Sequence, residues 1–385
     1  MAVLTRPNTA GRTGRPAVSP ARSPLNHAEY LALRRFPALD GLRAIAALMV
    51  VFSHNNGPDW LQGWIGVQIF FVISGYLITS LMLREEDRAG RISFRNFYLR
   101  RVFRILPVYF VVLLATLIGQ LAVGTLTSSA PGSELPLYLF FLTEFGNGGL
   151  YGQAWSLGIE QKFYLLWPLL AFATIVAQRR ARSGLRIGLT LALMTLSLIA
   201  VPISMGGNPQ GWPAHYFGIL IGCLVGILLH HPKGFALLRP LTRPWVAAVA
   251  AGAFLIAHLF VLPATKLIDR HDLVGDIPGF VAITPPYVVL VAFLLLPALI
   301  ANALPQRLLS LKPMVWLGER SYSIYLVQNL AHELGDWLCG LAGLELSRSP
   351  LMFLVAGGLS IGIAHFTYRW VELPMIGAGR RLISR

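Results

Sequence analysis

Ten apolar runs, at about residues 40–56, 64–83, 104–123, 155–177, 187–204, 214–230, 245–262, 284–304, 314–340 and 351–371, account for most of this 385-residue chain. Each is long enough to cross about 30 Å of hydrocarbon as a helix. Hydrophobic residues make up 55% of the chain and charged residues 13%, a balance that excludes a soluble fold of ordinary composition. Lipid offers no partner to backbone N–H and C=O groups, so runs of this kind must satisfy those groups internally, as helices do. The expected fold class is therefore all-α, a polytopic integral membrane protein with about ten transmembrane helices.

The basic residues set the orientation. With a cytoplasmic N-terminus, only Lys266, Arg270 and Arg348 of the 32 Lys and Arg fall in outer loops, and only Arg43, Lys162 and Arg320 fall within spans. The rest lie inside, an imbalance that fixes both termini in the cytoplasm and a multi-pass place in the inner (cytoplasmic) membrane. The apolar segment 135–145, LPLYLFFLTEF, is short. If it spanned, Arg179, Arg180, Arg182 and Arg186 would be forced outside, so it is expected to be re-entrant, covered by protein. Residues 1–36 are basic and rich in Pro, Ser and Gly, without the hydrophobic region of a signal peptide, and are expected to be a disordered cytoplasmic tail. Residues 37–374 form the membrane domain and 375–385 a second basic tail. The net charge of +15, distributed in this way, points to membrane lipids and not to nucleic acid. Cys223 and Cys339 stand far apart with no metal-ligand spacing, and no metal is expected.

Within the first run, DGLRAIAALMVVFSH, Arg43 and His54 are eleven residues apart. That is three helical turns plus roughly 20°, so both side chains leave one face, separated by about 16 Å along the axis. Ala46, Ala47 and Val50 lie between them. Such a face lines a passage with a cation below and an imidazole above, or else Arg43 snorkels to one interface while His54 sits in the other. The second run carries Ser74, Gly75 and Tyr76, a Ser-Gly pair that permits a bend or a close helix contact. Between Arg84 and Arg104 comes the densest basic cluster, suited to a polyphosphorylated ligand or to anionic lipid, with Arg101 and Arg104 sharing a face at the start of the third span. The fourth run opens at Trp155 and places Glu160 on a face with Ser156, Tyr164 and Trp167, in the outer half where His54 is an expected partner; Lys162 points elsewhere and is expected to snorkel. In the ninth run Tyr322, Tyr325, Asn329, His332 and Asp336 form a narrow polar stripe, explained equally by ligand contact and by interhelical hydrogen bonds. In the last run Arg369 and Glu372 are expected to pair with each other.

Arginine, ten residues and histidine in the first span, then FFVISGYL, RRVFRILP, WSLGIEQKFYLLWP, SYSIYL and YRWVELP follow one another in order. Together they resemble the acyltransferase-3 family of integral membrane O-acyltransferases, over essentially everything after residue 36. The resemblance implies an acyltransferase-only chain, with no appended hydrolase-like domain, that moves acetyl or another short acyl group. Its donor would be cytoplasmic acyl-CoA, most simply acetyl-CoA. Its acceptor would be a hydroxyl of an envelope polysaccharide or glycolipid, or of a glycosylated or polyketide small molecule. Carried over by position, the essential residues are Arg43, His54, Arg101, Arg104 and Glu160; Arg43, Arg101 and Arg104 would hold the CoA phosphates. Ser74, Tyr76, Trp155, Tyr322, Tyr325, Gln328 and His332 would line the substrate path. Many relatives carry a histidine where this chain has Gln328, and His332, one turn on, is a candidate substitute.

The chemistry agrees. Ester formation from a thioester needs a base for the acceptor hydroxyl and a positive group for the oxyanion. His54 is the only imidazole on the Arg43 face, with Glu160 as the acid that orients it. A non-catalytic exporter or flippase of a phosphorylated lipid or glycan would use the same basic mouth and polar interior. A glycosyltransferase would need an acidic metal or nucleotide site that no sizeable loop supplies.

Overall fold

A computed structural model describes residues 25–33, 35–122, 124, 131–146, 149, 151–173, 182–205, 211–346 and 349–383. Among these residues the chain is helical, without strands. A short helix α1 (His27–Ala32) precedes α2 (Pro37–His54), α3 (Gly66–Ala89) and α4 (Phe94–Ala122). A nine-residue α5 (Pro131–Leu139) leads to α6 (Ala154–Pro168), α7 (Arg182–Met205) and α8 (Trp212–His230). Then follow α9 (Pro232–Leu238), α10 (Pro244–Leu259), α11 (Val261–His271), α12 (Gly279–Ala282), α13 (Thr284–Leu290) and α14 (Leu296–Ile300). The chain closes with α15 (Leu304–Leu309), α16 (Lys312–Glu319), α17 (Ser321–Leu341), α18 (Met352–Thr367) and α19 (Leu373–Ile383).

Six helical segments among the described residues are long and apolar enough to cross a membrane: Pro37–His54, Asp59–Ala89, Phe94–Ala122, Ser183–Met205, Trp212–His230 and Gly279–Ile300. A seventh is added if Pro232–Thr242 and Pro244–Leu259, bent by 80°, form one span. The fourth, ninth and last expected runs are not among these segments. The fourth is described only as far as residue 173. The ninth breaks at Arg320, whose guanidinium stacks 3.9 Å over Trp316 and 4.6 Å over Tyr368 and donates to the Trp316 carbonyl at 2.7 Å. The last divides where a π-helical turn, Tyr368–Glu372, separates α18 from α19. In the segment expected to be re-entrant, α5 is followed by the 3-10 turn Thr143–Phe145, and nine helical residues rise only about 14 Å.

The centre of the bundle is the pair α3 and α8. Gly218, Gly222 and Gly226 recur every fourth residue along one face of α8 and let its backbone approach α3. A Cβ at Gly222 would meet the Val72 carbonyl and lie 2.9 Å from the Tyr76 amide nitrogen. Gly75 meets the Ile219 carbonyl in the same way, so the Ser-Gly pair of the second run serves close approach. Gly222→Leu should therefore cost about 1–3 kcal/mol through overpacking. It is expected to lower the thermal midpoint of the detergent-solubilised protein by several degrees, whereas Gly362→Leu, with nothing within 4 Å, should leave it unchanged.

Part of the segment expected as a disordered tail is folded. Asn26 and Glu29 form a reciprocal capping box at the start of α1, and Tyr30 is wholly buried. Arg84 of α3 donates to the carbonyls of Tyr30 and Leu33 and lies over the rings of Tyr30 and Phe36. Residues 1–24 lie outside the described residues, as do Arg179, Arg180 and Arg348. Helix α4 begins ten residues before the third apolar run, so Arg95, Arg100, Arg101 and Arg104 stand on the helix itself.

Candidate active site

At the end of the bundle where α2 begins, α2, α4, α16 and α19 enclose a cleft of about 800 Å³. Arg35, Arg100, Arg101, Arg104 and Arg380 line it, opposed by Asp40, Glu319 and Glu372. Its size lies within the roughly 300–1,000 Å³ usual for small-molecule sites. The cluster read from the sequence divides here. Arg84 is taken up by α1 and Arg100 pairs with Glu85 at 3.1 Å; outside that cluster, Arg186 makes a bidentate pair with Glu86 at 2.8 and 3.0 Å. Among the described residues Arg101 has no such partner: its guanidinium lies over Tyr164 at 5.3 Å and Phe97 at 5.8 Å, and its buried Nε makes no hydrogen bond. Arg104 stands 4.0 Å from the Glu372 carboxylate.

Glu372 does not pair with Arg369, as its spacing suggested. The π turn between α18 and α19 inserts an extra residue, which rotates the following positions around the helix. Glu372 is thereby turned inward, where it also accepts from Ser323 at 3.1 Å, and Arg369 is left exposed.

Deeper in the bundle lies a small cavity of about 40 Å³, lined by Arg43, Phe70, Ser156, Glu160, Tyr322 and Tyr325 among others. Glu160 accepts a hydrogen bond from Ser74 at 2.6 Å, and Tyr164 donates to the same Ser74 hydroxyl at 3.4 Å. Arg43 and Arg101 are the cations that act on this carboxylate. Tyr325 is bonded to Ser156 at 2.8 Å and donates to the Gln153 carbonyl at 2.9 Å, while Tyr322 donates to the Ile105 carbonyl at 2.9 Å. The Nε of Arg43 is buried without a hydrogen-bond partner. Three guanidiniums thus converge on three carboxylates, Asp40, Glu160 and Glu372, and Arg43 and Arg101 each keep a buried Nε–H without a hydrogen bond among the described residues. Unpaired buried donors are costly, and an acceptor entering from the cleft would satisfy them.

At the C-terminal end of α2, His54 is exposed. Its partner is Gln328, whose side-chain oxygen lies 3.2 Å from Nδ1. His332 is bonded through Nδ1 to the Asn55 side-chain oxygen at 2.7 Å. The expected His54–Glu160 pairing is not formed, because the carboxylate faces Ser74 and the arginines while the imidazole is held by α17. Nor does His332 take the place of Gln328. It bonds the residue next to His54. The alanine face is closed: Ala46, Ala47 and Val50 are 0%, 0% and 1% exposed, packed in the cores that include Phe70, Tyr322 and Tyr325.

A family model described as an acyltransferase domain, that of the acyltransferase-3 family, matches residues 36–369. The chain belongs to the acyltransferase-3 family. It is 31% identical over 371 residues to the Bacillus subtilis protein YrhL, named as a candidate peptidoglycan O-acetyltransferase; the match covers 91% of this chain and 56% of that one. It is 28% identical over 359 residues to the peptidoglycan O-acetyltransferase OatA of Listeria monocytogenes, covering 88% of this chain and 55% of the relative. A Staphylococcus aureus protein named as a candidate O-acetyltransferase is 26% identical over 382 residues, 92% of this chain and 60% of that one. The chain thus spans between 55% and 60% of the length of these relatives. No solved structure matches it.

Within this acyltransferase-3 bundle, Arg43, Arg101, Arg104 and Glu160 come together, Ser74, Tyr322 and Tyr325 surround them, and His54 with Gln328 stands apart at the C-terminal end of α2. Two expected lining residues lie elsewhere. Tyr76 is wholly buried beneath α1, its hydroxyl 3.1 Å from that of Tyr30, and Trp155 stacks against His215 and Trp212 at 4.7 and 5.3 Å. Lys162 does not snorkel: it forms an ion pair with Glu144 and donates to the Phe141 carbonyl at 2.8 Å. Arg35 and Arg380, which the sequence assigned to solvated tails, line the cleft; no periodic signal marks them, because only the packing of α1 and α19 brings them there. Among the described residues no group of three His, Cys, Asp or Glu is placed to hold a metal ion.

Proposed function

We propose that the chain is a multi-pass O-acyltransferase of the cytoplasmic membrane, with about ten spans and both termini inside, that transfers an acetyl or other short acyl group from acyl-CoA to a carbohydrate hydroxyl. The names of its relatives favour a cell-wall glycan as the acceptor. The observation that carries the reading is the meeting of Arg43, Arg101 and Arg104, with unused guanidinium donors, at the boundary between the large cleft and the small cavity holding Glu160. Guanidinium forks match phosphate oxygens, so the nucleotide end of the donor rests in the cleft and its acyl arm points into the bundle. Tyr325, in the cavity wall, precedes Gln328 by three residues on α17, about 4.5 Å of rise, so the cavity ends one turn below the partner of His54. Phe70, Tyr322 and Tyr325 must part for the thioester to pass that turn.

His54 then takes the proton of the acceptor hydroxyl as its oxygen attacks the thioester carbonyl. The tetrahedral oxyanion collapses with cleavage of the C–S bond, and the imidazolium returns the proton to the departing thiolate. Arg43 and Glu160 hold the donor arm below, the carboxylate balancing the guanidinium when the phosphates are absent.

Purified protein in proteoliposomes, given labelled acetyl-CoA and soluble peptidoglycan fragments, should release CoA thiol and transfer label to the fragments. Binding of acetyl-CoA with no thioester consumed, and lipid or glycan transport instead, would establish an exporter. Arg101→Ala should raise the KM for acetyl-CoA about tenfold or more, since a hydrogen bond to a charged group contributes about 1.5–3 kcal/mol, with a smaller effect on kcat.

A further inference from the structure

We infer that Gln328 is a positioning residue that fixes the tautomer of His54, doing with a neutral amide what a carboxylate does in other histidine bases. The inference rests on the proposed role of His54 as the base. Gln328 is 1% exposed and sits on α17, a different helix from the imidazole it touches. Its side-chain oxygen, an acceptor only, lies 3.2 Å from Nδ1 of His54. With the amide oxygen of Gln328 facing the ring, and its amide nitrogen buried without a hydrogen-bond partner among the described residues, Nδ1 carries the hydrogen and Nε2 keeps its lone pair. Nε2 has no hydrogen-bond partner among the described residues, and the ring is exposed at the outer end of α2. The unprotonated nitrogen is thereby offered to the side from which an outer acceptor hydroxyl arrives.

Beside His54 at the end of α2 stand Ser53, Asn55 and Asn56, and around Gln328 on α17 stand Asn329, His332, Glu333 and Asp336; His332 is engaged with Asn55 at 2.7 Å. No carboxylate bonds or ion-pairs with His54 among the described residues, and Glu160 is committed to Ser74. A neutral acceptor selects the tautomer without attracting a proton to the ring. A carboxylate in its place would do both, and that difference is measurable.

Three variants test the assignment, all assayed as full-length protein in proteoliposomes with acetyl-CoA and soluble peptidoglycan fragments. Gln328→Ala should lower kcat about tenfold or more while leaving the KM for acetyl-CoA within twofold, because the base is lost from its productive tautomer while the arginines are untouched. Gln328→Glu should retain turnover at high pH. Its carboxylate stabilises the imidazolium, so the acid limb of the pH–rate profile should move up by about one pH unit or more. A purely structural role for Gln328 would not move that limb. Should either variant fail to fold, histidine-labelled NMR of the unaltered protein decides: the His54 signals, assigned by their loss in His54→Ala, should report hydrogen on Nδ1. Hydrogen on Nε2, an unmoved acid limb in active Gln328→Glu, or near-normal kcat in Gln328→Ala would overturn the inference. If His54→Ala itself turns over normally, the base assignment fails instead; if only the Gln328 results fail, that assignment stands.

Discussion

His54→Ala is expected to abolish acyl transfer while leaving folding and acetyl-CoA binding intact. The imidazole lies at the end of α2, exposed, and its one hydrogen bond is to Gln328, so its removal opens no cavity in the core. The last turn of α2 keeps its own support, because Asn55 donates from its side chain to the Val51 carbonyl at 2.6 Å. Loss of a positioned general base costs about 10²–10⁴ in rate. Of the arginines that would hold the donor, Arg43 is about 16 Å away along α2, judged from the helical rise, and Arg101 and Arg104 stand on α4; all three should bind it as before. The measurement is label transfer from acetyl-CoA alongside acetyl-CoA affinity. Near-normal turnover would remove His54 from the mechanism, and loss of donor binding would mean that its role is structural.

Lys162→Met is expected to be the most destabilising single change in the bundle outside the arginine cluster. Glu144 is 1% exposed at its side chain and pairs with Lys162, which is 26% exposed and also donates to the carbonyls of Phe141 and Gly158. Lys162→Met takes the ammonium from a buried carboxylate, and breaking a buried pair costs about 3–5 kcal/mol, a large share of the roughly 5–15 kcal/mol by which proteins are usually stable. Replacing both partners with neutral groups is a different experiment. Lys162→Met combined with Glu144→Gln should recover most of the lost thermal midpoint, since no buried charge remains. Equal stability of the single and double variants would show that the pair is not the anchor of this hairpin. The pair also bears on the site. Gly158, packed against the Phe141 carbonyl and the Glu144 carboxylate, is two residues from Glu160, so loosening the hairpin should misplace that carboxylate and lower transfer in the protein that stays folded.

Arginines 84, 95, 100, 101 and 104 looked alike in the sequence, all basic and all beside a span. Packing separated them: Arg84 holds α1, Arg100 pairs with Glu85, and Arg101 and Arg104 face the cleft. Glu160 and His54 looked like partners because both belong to the outer half of their runs. Packing against α3 placed the carboxylate beside Ser74, and packing against α17 placed the imidazole beside Gln328.

Apolar runs long enough to span a bilayer, helical structure within them, and the common face of Arg43 and His54 were legible from the chain alone. These depend on composition and on a period of 3.6 residues, both of which are local. The order of short motifs was enough to suggest the family for the same reason, since a motif needs no knowledge of its neighbours in space. The partner of each polar side chain was decided only by tertiary structure. The close approach of α3 and α8 through glycine, the break at Arg320 and the π turn before α19 each shift depth or rotation by a residue or more. A shift of one residue turns a helical side chain by about 100°, enough to exchange one neighbour for another.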